Sequence, residues 1–166
     1  MNKSVKLYTV ALTVLCACSK SEVTATLPGE PIQITRLRSE PYSFAFVSGM
    51  DRPARLVIRD ASTWQAIWTQ INRGSNPVSP LPTIDFSREM VVVAALGTHS
   101  TGGHSILVDG ASVVDSNGTA VAIRSVSPGP DCGVTEAFTE PVDIARMEMR
   151  VGPVTFVERS EVASCK

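Results

Sequence analysis

Aromatic residues are scarce in this chain, at 5% of its 166 residues, while hydrophobic residues of all kinds make up 43%. A core drawn from such a sequence is aliphatic, filled by Val, Ile, Leu and Ala. Charge of one sign is also missing: 15 Lys and Arg stand against 16 Asp and Glu, for a net charge of −1. With no cluster of Lys or Arg, the electrostatic footprint of a nucleic-acid binder is absent. Histidine is nearly absent, with two in the whole chain, His99 and His104. Ser100, Ser105 and Asp109 lie near them, but there is no Gly-x-Ser-x-Gly nucleophile turn and no other histidine to serve as base. Catalysis is not expected, and no cofactor is implied. Two His ligands are also thin for a closed metal site, whose remaining ligands would have to be Asp109 or Asp131. A small-ligand or metal-binding role for His99 and His104 is therefore the alternative reading.

The chain also lacks an apolar run long enough to span a bilayer as a helix. Its first residues show another pattern. Lys3 and Lys6 form a short basic region and residues 7–17 an apolar one, the form of a signal peptide. That segment ends Leu15-Cys16-Ala17-Cys18, which resembles a bacterial lipobox. Cys18 is the better lipid acceptor, because small Ala17 precedes it whereas bulky Leu15 precedes Cys16. The expected organisation is a lipoprotein signal peptide over residues 1–17, a lipidated Cys18 with a tether to residue 31, and one domain over residues 32–166. The tether is polar, small and punctuated by proline. Ser19 and Lys20 replace the Asp that retains many lipoproteins at an inner membrane, so a cell-envelope address at the outer membrane is expected.

The domain is organised around residues 90–108. Val91, Val92, Val93, Ala94, Ala95 and Leu96 read as a strand buried on both faces. Ile106, Leu107 and Val108 resume a strand after a loop rich in Gly, Thr and His. The simplest geometry is a hairpin at the centre of a sheet, with Gly97, Thr98, His99, Ser100, Thr101, Gly102, Gly103 and His104 as a tight connection or a presented binding loop. Further strands are expected at residues 32–38, 42–47, 55–59, 119–126, 134–139, 142–147 and 154–157. Gly110 reads as a bulge and Asn117-Gly118 as a hairpin turn.

One helix is expected over residues 62–73, with Ser62 as its cap, Gln65 closing a capping box, and Gly74 as its stop. Trp64, Ile67, Trp68 and Ile71 follow helical spacing, so the tryptophans are expected to pack the helix onto the sheet rather than bind a ligand. Asp85 is expected to serve a local turn with Ser87 or Arg88. One helix among many short strands predicts a mainly β, single-domain antiparallel sandwich or open barrel with one packed helix. Once Cys18 is lipidated and Cys16 removed, Cys132 and Cys165 remain in an oxidising compartment and are expected to pair. The bridge would close a loop of about 34 residues, about 3–4 kcal/mol in the chain-entropy model.

Trp64 and Trp68, Ile84-Asp85-Phe86-Ser87 before Met90-Val91-Val92, Gly97 with Thr101-Gly102-Gly103-His104-Ser105-Ile106, and then Pro130, Cys132, Thr135, Thr139, Pro141 and Ile144 occur in a characteristic order. In that order the chain resembles the PrcB C-terminal domain family of bacterial lipoproteins, over roughly residues 54–157. His104 stands where that pattern has Tyr. The resemblance implies a non-enzymatic protein that associates with, and stabilises, a secreted or surface protease or another envelope protein. The loop over residues 97–104 is the expected contact.

Overall fold

A computed structural model describes residues 27–37, 47–74, 79–115 and 117–166. The signal peptide, Cys18 and most of the tether lie outside the described residues, as does the strand expected over residues 42–47 apart from Val47. The elements in chain order are β1 (Glu30–Ile32), β2 (Thr35–Arg36), β3 (Pro53–Ile58), α1 (Ala61–Ile71), β4 (Glu89–Leu96), β5 (Ser105–Val113), β6 (Thr119–Pro128), β7 (Val142–Glu148) and β8 (Val154–Ala163). They form two four-stranded sheets, β1-β5-β6-β8 and β2-β7-β4-β3. The molecule is thus a mainly β sandwich with one helix among the described residues, and it is not closed into a barrel.

β4 explains the layering. Side chains alternate across a strand, so a run apolar at every position needs apolar cover on both faces. Met90, Val92 and Ala94 pack between the sheets with Ile106, Val108, Val121 and Ile123. Val91, Val93 and Ala95 face the other way and pack with Trp64, Trp68, Ile71 and Ile144. The second sheet is therefore the middle layer, with the first sheet on one side and α1 on the other.

α1 carries its apolar stripe as expected, with Trp64, Trp68 and Ile71 buried. The two indole rings lie 5.1 Å apart at 54°. Their N–H groups donate to the carbonyls of Pro82 and Ser79, at 3.0 and 3.1 Å, which satisfies the polar end of each buried ring. The cap lies before the Ser62–Gln65 pair that the sequence predicts. Asp60 is the N-cap, accepting from the Thr63 backbone N–H at 2.8 Å. Its carboxylate also receives the Ser62 and Thr63 hydroxyls. Those bonds, the Ser62 hydroxyl foremost, hold its pKa down at about 2. An ionised Asp takes three donors where Ser would take one, and it adds favourable charge at the helix N-terminus.

The expected hairpin between β4 and β5 is not formed. β4 pairs with β3 and β7, whereas β5 pairs with β1 and β6, so residues 97–104 carry the chain from one sheet to the other. A strand that needs cover on both faces already has its sheet neighbours in β3 and β7, and β5 is placed to cover its face rather than its edge. Pairing is antiparallel except between β6 and β8, which run parallel over ten residues each. The bulge falls as expected, the β5–β6 register shifting between Val108 and Gly110. Across the sandwich, Asp143 of β7 accepts the Val108 N–H at 2.8 Å and the Arg36 guanidinium at 3.2 Å. Arg36 in turn donates to the Val108 carbonyl at 2.9 Å. The next turn is held by the Asp115 carboxylate, which accepts from Asn117 and Gly118 at 3.1 and 2.6 Å. Cys132 and Cys165 form a disulfide, with Cα atoms 5.1 Å apart.

Candidate functional site

The site is built where β4 ends. Gly97 has φ of +81°, and a Cβ there would lie 2.8 Å from Pro53 Cδ, so glycine is required on both counts. Thr98 donates its N–H to the Asp51 carbonyl at 3.1 Å and its hydroxyl to Glu140 at 3.1 Å. The other Glu140 oxygen accepts the Gly49 N–H at 2.7 Å. One largely buried carboxylate thus fastens three segments of chain.

The rest of the loop is stitched to residues 134–140. His99 and Thr139 exchange backbone hydrogen bonds of 2.8 and 2.9 Å. The Thr139 hydroxyl donates to the Thr101 carbonyl at 2.9 Å, and the Gly102 N–H donates to the Thr135 carbonyl at 2.9 Å. A Cβ on Gly102 would collide with Thr135 Oγ1. Residues 134–139 therefore do not form the strand expected of them. They make the single bridge at Thr139 and otherwise follow the loop they pack on. Their backbone is drawn into bonds with that loop, which leaves it unavailable for a continuous ladder.

The two histidines meet as a stacked pair. Their rings stack with centroids 3.9 Å apart and planes at 19°. Lone pairs lie in the ring planes, so stacked imidazoles aim theirs side by side instead of at one shared point. Thr101 Oγ1 lies 3.4 Å from His104 Nε2, while His99 Nε2 and His104 Nδ1 are buried with no hydrogen-bond partner among the described residues. Burial, and secondarily the neighbouring His99, push the pKa of His104 below the ordinary histidine value. The carboxylates named as further ligands are engaged elsewhere: Asp109 with Arg124 at 3.4 Å, and Asp131 with Lys166 at 2.8 Å. Among the described residues no group of three or more His, Cys, Asp or Glu gathers into a metal-binding set.

Among the polar residues that the paired loops present to solvent, Thr98, Ser100, Thr135 and Glu136, stand two large apolar ones. Phe138 is 67% exposed and Val134 is 39% exposed, beside exposed Ser100 and Gly103. The sequence predicts a strand at Phe138 and does not single it out as a surface residue. The available signal was a lone aromatic in a chain short of them, within a polar segment. Elsewhere, a cleft of about 830 Å³ is lined by Glu30, Arg88, Glu89, Arg146, Glu148 and Arg150. Its charges are largely paired internally, Arg146 with Glu89 and Arg150 with Glu148.

A helix-backed β sandwich whose sheet-to-sheet loop is locked to a second loop, with an aromatic at the surface, has the form of a domain that presents a rigid contact surface. The family comparison adds to this: the PrcB C-terminal family model matches residues 90–148, so this segment of the chain is similar to that family. The match is narrower than the 54–157 span of the resemblance, and it contains β4, both loops of the site and β7. PrcB-type domains are non-catalytic, protease-associated subunits. A search of curated proteins and a search of solved structures each found no match.

Proposed function

We propose that the protein is a lipid-anchored, non-enzymatic subunit of the cell envelope that binds, and so stabilises, a protease or another envelope protein. The observation that carries this reading is the rigid double loop bearing Phe138. A large apolar ring left in water beside a hydrogen-bonded, preorganised backbone is the kind of anchor that dominates protein interfaces. The loop holds its shape through the His99–Thr139 bridge and the Glu140 fastening, so little conformational freedom is lost on binding. The family match supports a protease-associated partner. Cys18 is the proposed acceptor of the lipid, and the outer membrane the proposed address.

Co-purification from the organism's own membranes in mild detergent tests the proposal. An envelope protein retained by the native chain and lost with Phe138→Asp is the expected result. Because Phe138 is exposed, this substitution leaves the core intact, and an unchanged set of co-purifying proteins would refute the double loop as the contact. Incorporation of labelled fatty acid, abolished by Cys18→Ser, is expected for the anchor.

A further inference from the structure

An edge strand with unpaired backbone groups is a template for another strand, and sandwiches normally keep such edges short or interrupted. Among the described residues, three of the four sheet edges follow that practice. β1 and β2 have three and two residues, and β3 has six and opens with Pro53. β8 does not. It has ten residues, contains no proline or glycine, and lies at the end of the first sheet with β6 as its one neighbour among the described strands. Val157 and Val162 on it are 42% and 71% exposed.

The direction of its backbone can be read from neighbouring contacts. The Arg159 carbonyl accepts from Ser125 Oγ on β6 at 3.4 Å, so residue 159 turns its backbone groups toward β6. By the alternation of a strand, Phe156, Glu158, Ser160 and Val162 turn theirs outward. The side chains alternate as well. Arg159 and Glu161 share the sheet's outer face, 2.9 Å apart, with Arg124 of β6 within 3.9 Å of Glu161. Glu158 points to the other side, where Arg55 of β3 binds both its oxygens at 2.7 and 2.9 Å.

We propose that β8 is a dimerisation edge whose occupant is the β8 of a second copy, antiparallel and centred on Ser160. In this register Ser160 faces its own twin and exchanges both hydrogen bonds with it. Arg159 of each copy faces Glu161 of the other, and Val157 faces Ala163. Arg159 and Glu161 then form the closer, non-hydrogen-bonded pairs of the ladder, where side chains interact most strongly. Moving the two-fold axis by one residue in either direction sets Arg159 against Arg159 or Glu161 against Glu161. Placing the axis between two residues mixes inner and outer faces. Charge on an edge strand ordinarily repels a second strand, but here the order Arg, Ser, Glu is complementary to itself on reversal. The product is one continuous sheet that joins the first sheets of the two copies.

Sedimentation of the full chain in mild detergent, over a range of concentration, tests the proposal. A concentration-dependent monomer–dimer equilibrium is expected. Arg159→Glu and Glu161→Arg should each raise the dimer dissociation constant on the order of tenfold, since two cross-strand pairs turn repulsive. A mixture of the two variants should restore dimers, because one copy then carries two glutamates and the other two arginines, and both cross-strand pairs join opposite charges. Ser160→Pro, which removes an outward N–H and a surface contact with Ser125, should also give monomers while retaining the native circular dichroism. A native chain that is monomeric throughout overturns the proposal. So do single variants that dimerise normally, or a mixture that fails to re-form dimers.

Discussion

The two sheets are cut from similar residues and placed in opposite surroundings. In the second sheet β4 and β7 have apolar cover on both faces, one from the first sheet and one from α1. In the first sheet the inner face is covered, and the outer face carries the ion-paired row of Asp109, Arg124, Arg159 and Glu161. Among the described residues the second sheet therefore has apolar cover on both faces, and the first sheet on one. The same contrast separates the two ends of the loop at the site. Gly97 and Gly102 are buried against Pro53 and Thr135, while Ser100 and Gly103 reach solvent.

Five changes probe this contrast, in descending order of effect. Trp64→Ala empties the helix-side core and should cost about 3–5 kcal/mol, read from the denaturation midpoint of the chain. Cys132→Ser, or reductant added to the native protein, should cost about 2–4 kcal/mol, because the bridge pins the end of β8 to the loop after β6. Unchanged melting under reduction would show that β8 is held by its ladder to β6 alone. Gly97→Ala forces a Cβ onto Pro53 at positive φ and should cost about 1–3 kcal/mol. An equal effect at Gly133, whose Cβ would meet nothing within 4 Å, would contradict that assignment. Arg124→Ala, on the open face, should cost less than about 1 kcal/mol, as partly exposed ion pairs do.

The fifth and mildest change is in pH. The folded pKa of His104 lies below its unfolded value, so the unfolded chain binds the proton more readily. Stability is thus complete above the ordinary histidine value of 6.5 and declines as pH falls from there through the lowered folded pKa. His104→Asn should flatten that slope in melting curves taken across the window. A slope that persists unchanged would place the sensitivity outside this ring.

How far the sequence could be read depended on whether a signal was local. The β4 run, the Trp64–Trp68–Ile71 stripe and the bulge before Gly110 each follow from side-chain periodicity or from one residue's backbone preference, and all are present. The chain turns near Asn117-Gly118 as expected, but the Asp115 carboxylate holds it there and not left-handed backbone at those two residues. The helix cap was displaced because Ser62 and Gln65 match a capping box while Asp60, just before them, competes for the same N–H groups with a charge. The site was legible as a loop and not as a surface. Its glycines could be picked out, whereas the exposure of Phe138 depends on residues 134–139 being drawn onto that loop by Thr135 and Thr139.

An aliphatic β domain with one amphipathic helix, a doubly buried central strand and a cysteine pair in its C-terminal part follows from the order of the residues alone. Period, composition and cysteine count point to those features, and none of them needs a partner segment to be known. It took the assembled fold to establish that β4 and β5 belong to different sheets, that β8 runs parallel to β6 at the end of its sheet, and that Glu140 and Asp143 fasten segments far apart in the chain. Which strands share a ladder is settled by competition among all available edges and faces at once, and that competition exists only when the whole domain is assembled.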